Sequence, residues 1–187
     1  MKQRVVAIVG RPNVGKSALF NRIVGRRVAI VHAQSGVTRD RLMREINWCD
    51  KHFDLVDTGG LSLAGGERSR DVIEVAVRDQ VEAAIEDAAV VILVVDVTAG
   101  ITAMDEEVAS MVRQRGLPVA VAVNKCDSPD RDVHVSEFER LAYPSYAISA
   151  VHGRGVDVLM RQVVEELPSG SAAPSANPVH VSVVGMP

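Results

Sequence analysis

The octet Gly10-Arg-Pro-Asn13-Val14-Gly15-Lys16-Ser17 constrains this chain more than any other stretch, because it follows directly on the apolar run Arg4–Val9. A G-x-x-x-x-G-K-S spacing between a buried strand and a helix makes a phosphate cradle. Its glycines let successive backbone N–H groups, those of Val14, Gly15 and Ala18 among them, turn inward on an anion. Lys16 reaches the β- and γ-phosphates and the Ser17 hydroxyl ligates Mg²⁺. The helix expected over Lys16–Val24 aims its positive end at the same ligand. The loop points to a nucleoside triphosphate and leaves the base open.

A strand–loop–helix of this kind needs further parallel strands, and the rest of the chain supplies them. Strand signals alternate with helical spacing. Strands are expected at Arg41–Cys49, His52–Asp57, Val90–Val95, Val119–Val123 and Tyr146–Ile148. Helices are expected at Asp71–Asp87 (with Val72, Val75, Ala76, Asp79 and Ala83 on one face), Met104–Arg115, Val135–Leu141 and Val156–Leu167. The polar stretch Gly25–Asp40 and the glycine-bearing stretch Thr58–Arg70 read as loops, the second a mobile one. The expected fold is α/β, a P-loop NTPase with a doubly wound, mostly parallel six-stranded sheet and helices on both faces. Only 3% of residues are aromatic against 47% hydrophobic, so the core must be built of Val, Ile, Leu and Ala.

Residues 1–167 form one domain on this reading. Residues 168–178, rich in Pro, Ser and Ala, cannot bury enough surface to fold and read as a linker. Val181-Ser-Val-Val-Gly185-Met-Pro187 then repeats the layout of Val6-Ala-Ile-Val-Gly10-Arg-Pro12. Residues 179–187 are therefore expected to be the first strand of a second, truncated copy of the domain, an edge strand of the first being the alternative.

Three further clusters fall at the ends of expected strands. Asp57-Thr-Gly-Gly60 offers a carboxylate for Mg²⁺ and, at Gly60, an N–H that approaches the γ-phosphate. Asn124-Lys125-Cys126-Asp127 offers a carboxylate matching the paired N–H donors of guanine. Adenine would leave that carboxylate unpartnered, so the site would reject it. Asn124 is expected to reach the N7 edge of the base, and the Lys125 stem to cover a ring face. Ser149-Ala150 follows the last strand and offers the Ala150 N–H to the guanine oxygen.

These motifs, together with Gly36-Val-Thr38-Arg-Asp40, resemble those of the translation-factor-related GTPases and, within them, the EngA (Der) family. The resemblance covers residues 4–167. It implies tandem GTPase domains, of which this would be the first, followed by a KH-like domain that is absent here, and a switch role in assembly of the large ribosomal subunit. It implies a protein using GTP/GDP and Mg²⁺, and the isolated Cys49 and Cys126 read independently as reduced thiols of a cytoplasmic protein. Thr38 would be the first-switch residue closing onto Mg²⁺ and the γ-phosphate. Asn13 would hold a K⁺ ion beside the phosphates. Family members usually carry an Asp and a Pro before the Gly-Val-Thr-Arg-Asp segment, where this chain has His32-Ala-Gln-Ser35.

Leu61 stands where many small GTPases have a water-orienting Gln, so intrinsic hydrolysis is expected to be slow. Two other readings remain. One is an interaction module that binds guanine nucleotide with negligible turnover. The other is the GTPase domain of a K⁺-stimulated tRNA-modification enzyme, against which the repeated strand counts. A net charge of −3 opposes strong non-specific nucleic-acid binding by this piece. No apolar run approaches membrane-spanning length, the two isolated cysteines have no metal-ligand spacing, and a monomer is expected.

Overall fold

The computed structural model describes residues 4–26, 42–58 and 70–168. Six strands form one sheet in the order β2-β3-β1-β4-β5-β6. They are β1 Val5–Val9, β2 Leu42–Trp48, β3 Lys51–Asp57, β4 Val90–Asp96, β5 Val119–Asn124 and β6 Ser145–Ala147. Neighbours pair parallel except β2 with β3, an antiparallel hairpin at the sheet edge. Cys49 and Asp50 form its two-residue turn, both with positive φ. That conformation matches the right-handed strand twist.

Each central strand is buried along its whole length, as parallel strands covered on both faces must be. Alternate residues feed two cores. Val6, Ile8, Val90, Ile92, Val94, Ala120 and Ala122 join α1 (Lys16–Arg26) and α5 (Val156–Glu165) on one face. Ala7, Val9, Val91, Leu93, Val95 and Val121 join α2 (Arg70–Ile85), α3 (Ala103–Gln114) and a 3₁₀ helix over Val135–Leu141 on the other. The expected six-stranded α/β architecture is the one observed.

Two expectations need correction. The helix over the 71–87 region forms, but it buries Val77, Val81, Ala84 and Ile85, while Val72 and Val75 stand 47% and 54% exposed. The face drawn through Val72 and Val75 also carried Asp79, a residue that cannot be buried unpaired. The observed i, i+4, i+7, i+8 stripe avoids it. A short helix forms over Val135–Leu141 as expected, of the 3₁₀ type, and a four-residue helix α4, Pro129–Asp132, precedes it. The last strand begins one residue early, at Ser145. Residues 179–187 and nearly all of residues 168–178, the expected linker, lie outside the described residues, as do Thr38, Gly60 and Leu61.

Candidate functional site

The carboxyl ends of β1, β3, β5 and β6 share one end of the sheet, where an open α/β fold binds its ligand. The loop after β1 is packed too tightly for a side chain at its first position. Gly10 has φ +143°, and a Cβ there would collide with the Val94 carbonyl oxygen. Val14 is buried, Asn13 is exposed with left-handed φ of 64°, and α1 begins at Lys16. Asparagine is among the few residues that adopt this conformation readily.

The Lys16 ammonium donates to the carbonyls of Gly10 (2.9 Å) and Arg11 (2.8 Å), which leaves one N–H for a ligand. Burial pulls its pKa below the ordinary lysine value. The Asp57 carboxylate opposes that shift and the Arg11 guanidinium adds to it. Asp57 is fully buried at the end of β3, and next to it the Thr58 hydroxyl donates to Ile8 O at 2.9 Å. Ser17 is exposed in the first turn of α1. A hydroxyl and a carboxylate are the hard oxygen donors that Mg²⁺ takes. Among the described residues no cluster of three or more His, Cys, Asp or Glu could hold an ion unaided.

Asn124, at the end of β5, joins the phosphate loop to the far side of the site. Its Nδ2 donates to Val14 O (2.8 Å) and its Oδ1 accepts from the Ala150 N–H (2.9 Å). A Cβ on Gly15, whose φ is +100°, would strike that same Nδ2. Asp127 Oδ1 accepts from the Ser149 hydroxyl at 2.7 Å, and Oδ2 from Arg131 at 3.3 Å. The loop after β6 is fastened to α1 as well, since Arg22 donates to the carbonyls of Ala150 and Val151. Lys16, Asp57, Asn124, Asp127, Ser149 and Ala150 thus belong to one connected end of the sheet.

The profile of the 50S ribosome-binding GTPase family matches residues 5–125. The chain belongs to that family. It is 50% identical over 186 residues to a curated protein named GTPase Der from Cyanothece sp., covering 98% of this chain and 40% of that one. A GTPase Der from Limosilactobacillus reuteri is 42% identical, with 100% and 42% covered. The chain thus spans about two-fifths of the length of these curated relatives. Among solved structures, Era in complex with MgGDPNP and part of 16S ribosomal RNA superposes with a TM-score of 0.70 at 30% identity. That match covers 91% of this chain and 59% of Era. The EngA (Der) resemblance stands on these relatives.

In this member of the GTPase family the base loop departs from the sequence expectation in two respects. The Ala150 N–H donates to Asn124 Oδ1, so reaching a guanine oxygen requires sharing or exchange. One Asn124 amide hydrogen is spent on Val14 O, and one remains for a base.

Lys125 also has a partner that the motif did not announce. With left-handed φ of 68°, it places its ammonium 2.5 Å from Asp96 Oδ2. Asp96 ends β4, lies opposite Asn124 in the parallel register and is only 5% exposed. Its other oxygen accepts from the Thr98 N–H and hydroxyl. Burial alone would raise the Asp96 pKa. The hydrogen bonds from Lys125 and Thr98 outweigh it and hold the carboxyl below the ordinary value. The sequence signal was an Asp-x-Thr step at a strand's carboxyl end, a local Asx pattern that reads equally well as a plain turn.

Proposed function

We propose that this chain is the first of two tandem GTPase domains, binding GTP with Mg²⁺ and hydrolysing it to GDP and phosphate. Its nucleotide state would control docking of the longer protein on a large ribosomal subunit particle in the cytoplasm. Residues 1–167 are the domain on this reading, 168–178 the linker and 179–187 the opening strand of the second copy. The curated relatives are more than twice as long as this chain, which supports that arrangement. Among the described residues no helix is long and apolar enough to cross a membrane.

The observation that carries the reading is Asn124, whose two amide ends tie the phosphate loop to the base loop. A site that fixes these loops to each other suits a ligand spanning both, a base joined to a chain of phosphates. Lys16 and the N–H groups of Val14, Gly15, Lys16 and Ala18 receive the phosphates in this proposal. Ser17, Thr38 and Asp57 serve Mg²⁺, which when bound neutralises charge on the β- and γ-phosphate oxygens. Gly60 approaches the γ-phosphate and Asn13 faces K⁺. Asp127, held by Ser149, reads the two guanine donors.

The test is base exchange. Asp127→Asn replaces an acceptor by a donor, and the C2 oxygen of xanthine accepts where guanine donates. Titration should show about tenfold or greater loss of GDP affinity and a gain for xanthosine diphosphate. Guanine preference surviving in the folded variant would overturn the assignment.

A further inference from the structure

Arg11 and Asp105 form an ion pair beside the phosphate loop, Arg11 Nε to Asp105 Oδ1 at 3.5 Å, with Asp105 fully buried and the Arg11 side chain 19% exposed. Asp105 is fully buried in the first turn of α3. Its role as a helix cap explains only half of the carboxylate. Oδ2 accepts from the Thr102 N–H (3.0 Å) and hydroxyl (2.8 Å), and the Thr102 hydroxyl in turn caps the Asp105 N–H. A capping box works at an exposed helix end and needs neither complete burial nor the second oxygen. That second oxygen, Oδ1, makes no hydrogen bond and faces the guanidinium.

Arg11 is equally unexplained by its own loop. Its Nε and Nη2 are buried and make no hydrogen bond, so Asp105 is the charge that compensates it. A fully buried carboxylate left without its counter-charge is strongly unfavourable, so Asp105 holds the inner edge of the Arg11 guanidinium in place. The Arg11 backbone carbonyl is one of the two acceptors that hold the Lys16 ammonium. The other, Gly10 O, belongs to a residue already pressed against Val94 and has no side chain by which to adjust.

We propose that Arg11, anchored on Asp105, is a positioning residue that fixes the carbonyl pair aiming Lys16 at the phosphates. The inference rests on the reading of this site as a GTP site. It makes the first turn of α3 part of the phosphate-binding apparatus without touching the ligand. The division of the Asp105 carboxylate follows: one oxygen sets the helix start and the other sets the loop.

Because Arg11 acts through Lys16, its contribution must vanish when Lys16 is gone. GTP affinity is measured by titration for the unmutated chain, Arg11→Met, Lys16→Ala and the double variant. Arg11→Met should weaken GTP about tenfold with Lys16 present. In the Lys16→Ala background the same change should cost less than about twofold. Equal losses in both backgrounds would mean that Arg11 merely supports the fold, and no loss in either would mean it does not act on the site. Both outcomes overturn the proposal.

If Arg11→Met does not fold, Arg11→Met with Asp105→Asn leaves no buried charge unpaired and keeps a capping oxygen at residue 105. The same cycle then applies to that pair. Failure of the unmutated chain to bind GTP at all would instead overturn the underlying reading of the site.

Discussion

The Asn124 amide nitrogen lies 2.8 Å from the Val14 carbonyl oxygen, 110 residues away in sequence, and the bond is buried. One side chain of the Asn124–Asp127 motif therefore holds the loop after β1 in shape. Asn124→Ala would strand the Val14 carbonyl and the Ala150 N–H together. The expected cost is about 2–3 kcal/mol of stability, read from urea unfolding, with about tenfold weaker GDP binding in the folded protein. A variant that loses affinity while keeping its unfolding midpoint would show that Asn124 acts on the base alone.

Asn13 has two independent reasons to be asparagine, its left-handed backbone and the K⁺ that it is proposed to face. Asn13→Gly separates them, since glycine keeps the conformation and removes the amide. GTP hydrolysis should be about tenfold faster in K⁺ than in Na⁺ for the unmutated chain, and nearly equal in the two salts for Asn13→Gly. Equal single-turnover rates in both salts before mutation would remove K⁺ from the mechanism and leave nucleotide binding untouched.

Asp54 lies directly opposite Glu45 across the β2–β3 hairpin. Burial, and then the charge of Glu45, push its pKa above the ordinary 3.8. A carboxyl with a raised folded pKa costs the native state more as it ionises. That cost appears as pH rises from the ordinary value through the folded one. Asp54→Asn should then stabilise the protein by about 0.5 kcal/mol at pH 7. The gain should disappear below the ordinary carboxylate pKa, as measured by denaturant midpoints of both proteins at the two pH values. A gain that persists in acid would point to a cause other than charge.

The sequence was most informative where its own spacing does the work. Gly10–Ser17 fixes a strand, a turn and a helix within a few residues of one another, and Val90–Val95 can hardly be anything but a buried strand. It was least informative where pairing depends on sheet register. Asp96 meets Lys125 because β4 and β5 run parallel with Asp96 opposite Asn124, a relation that no local pattern encodes. Arg11 and Asp105 are likewise joined only through the fold. On α2 the period was legible but the phase was not. Val72 and Val75 look as apolar as Val77 and Val81, and only the packing against β1 and α3 chooses between them.

Cys126 sits inside the Asn124–Asp127 motif yet points into the core. It is fully buried, its thiol donates to Val123 O, and burial raises its pKa. Cys49, by contrast, is exposed on the hairpin turn. The molecule therefore carries two thiols on very different clocks. An alkylating reagent reaches the outer one directly, while the inner one reacts only when local opening or unfolding exposes it. Alkylation of Cys126 is in that sense a covalent tally of how often its burial is lost.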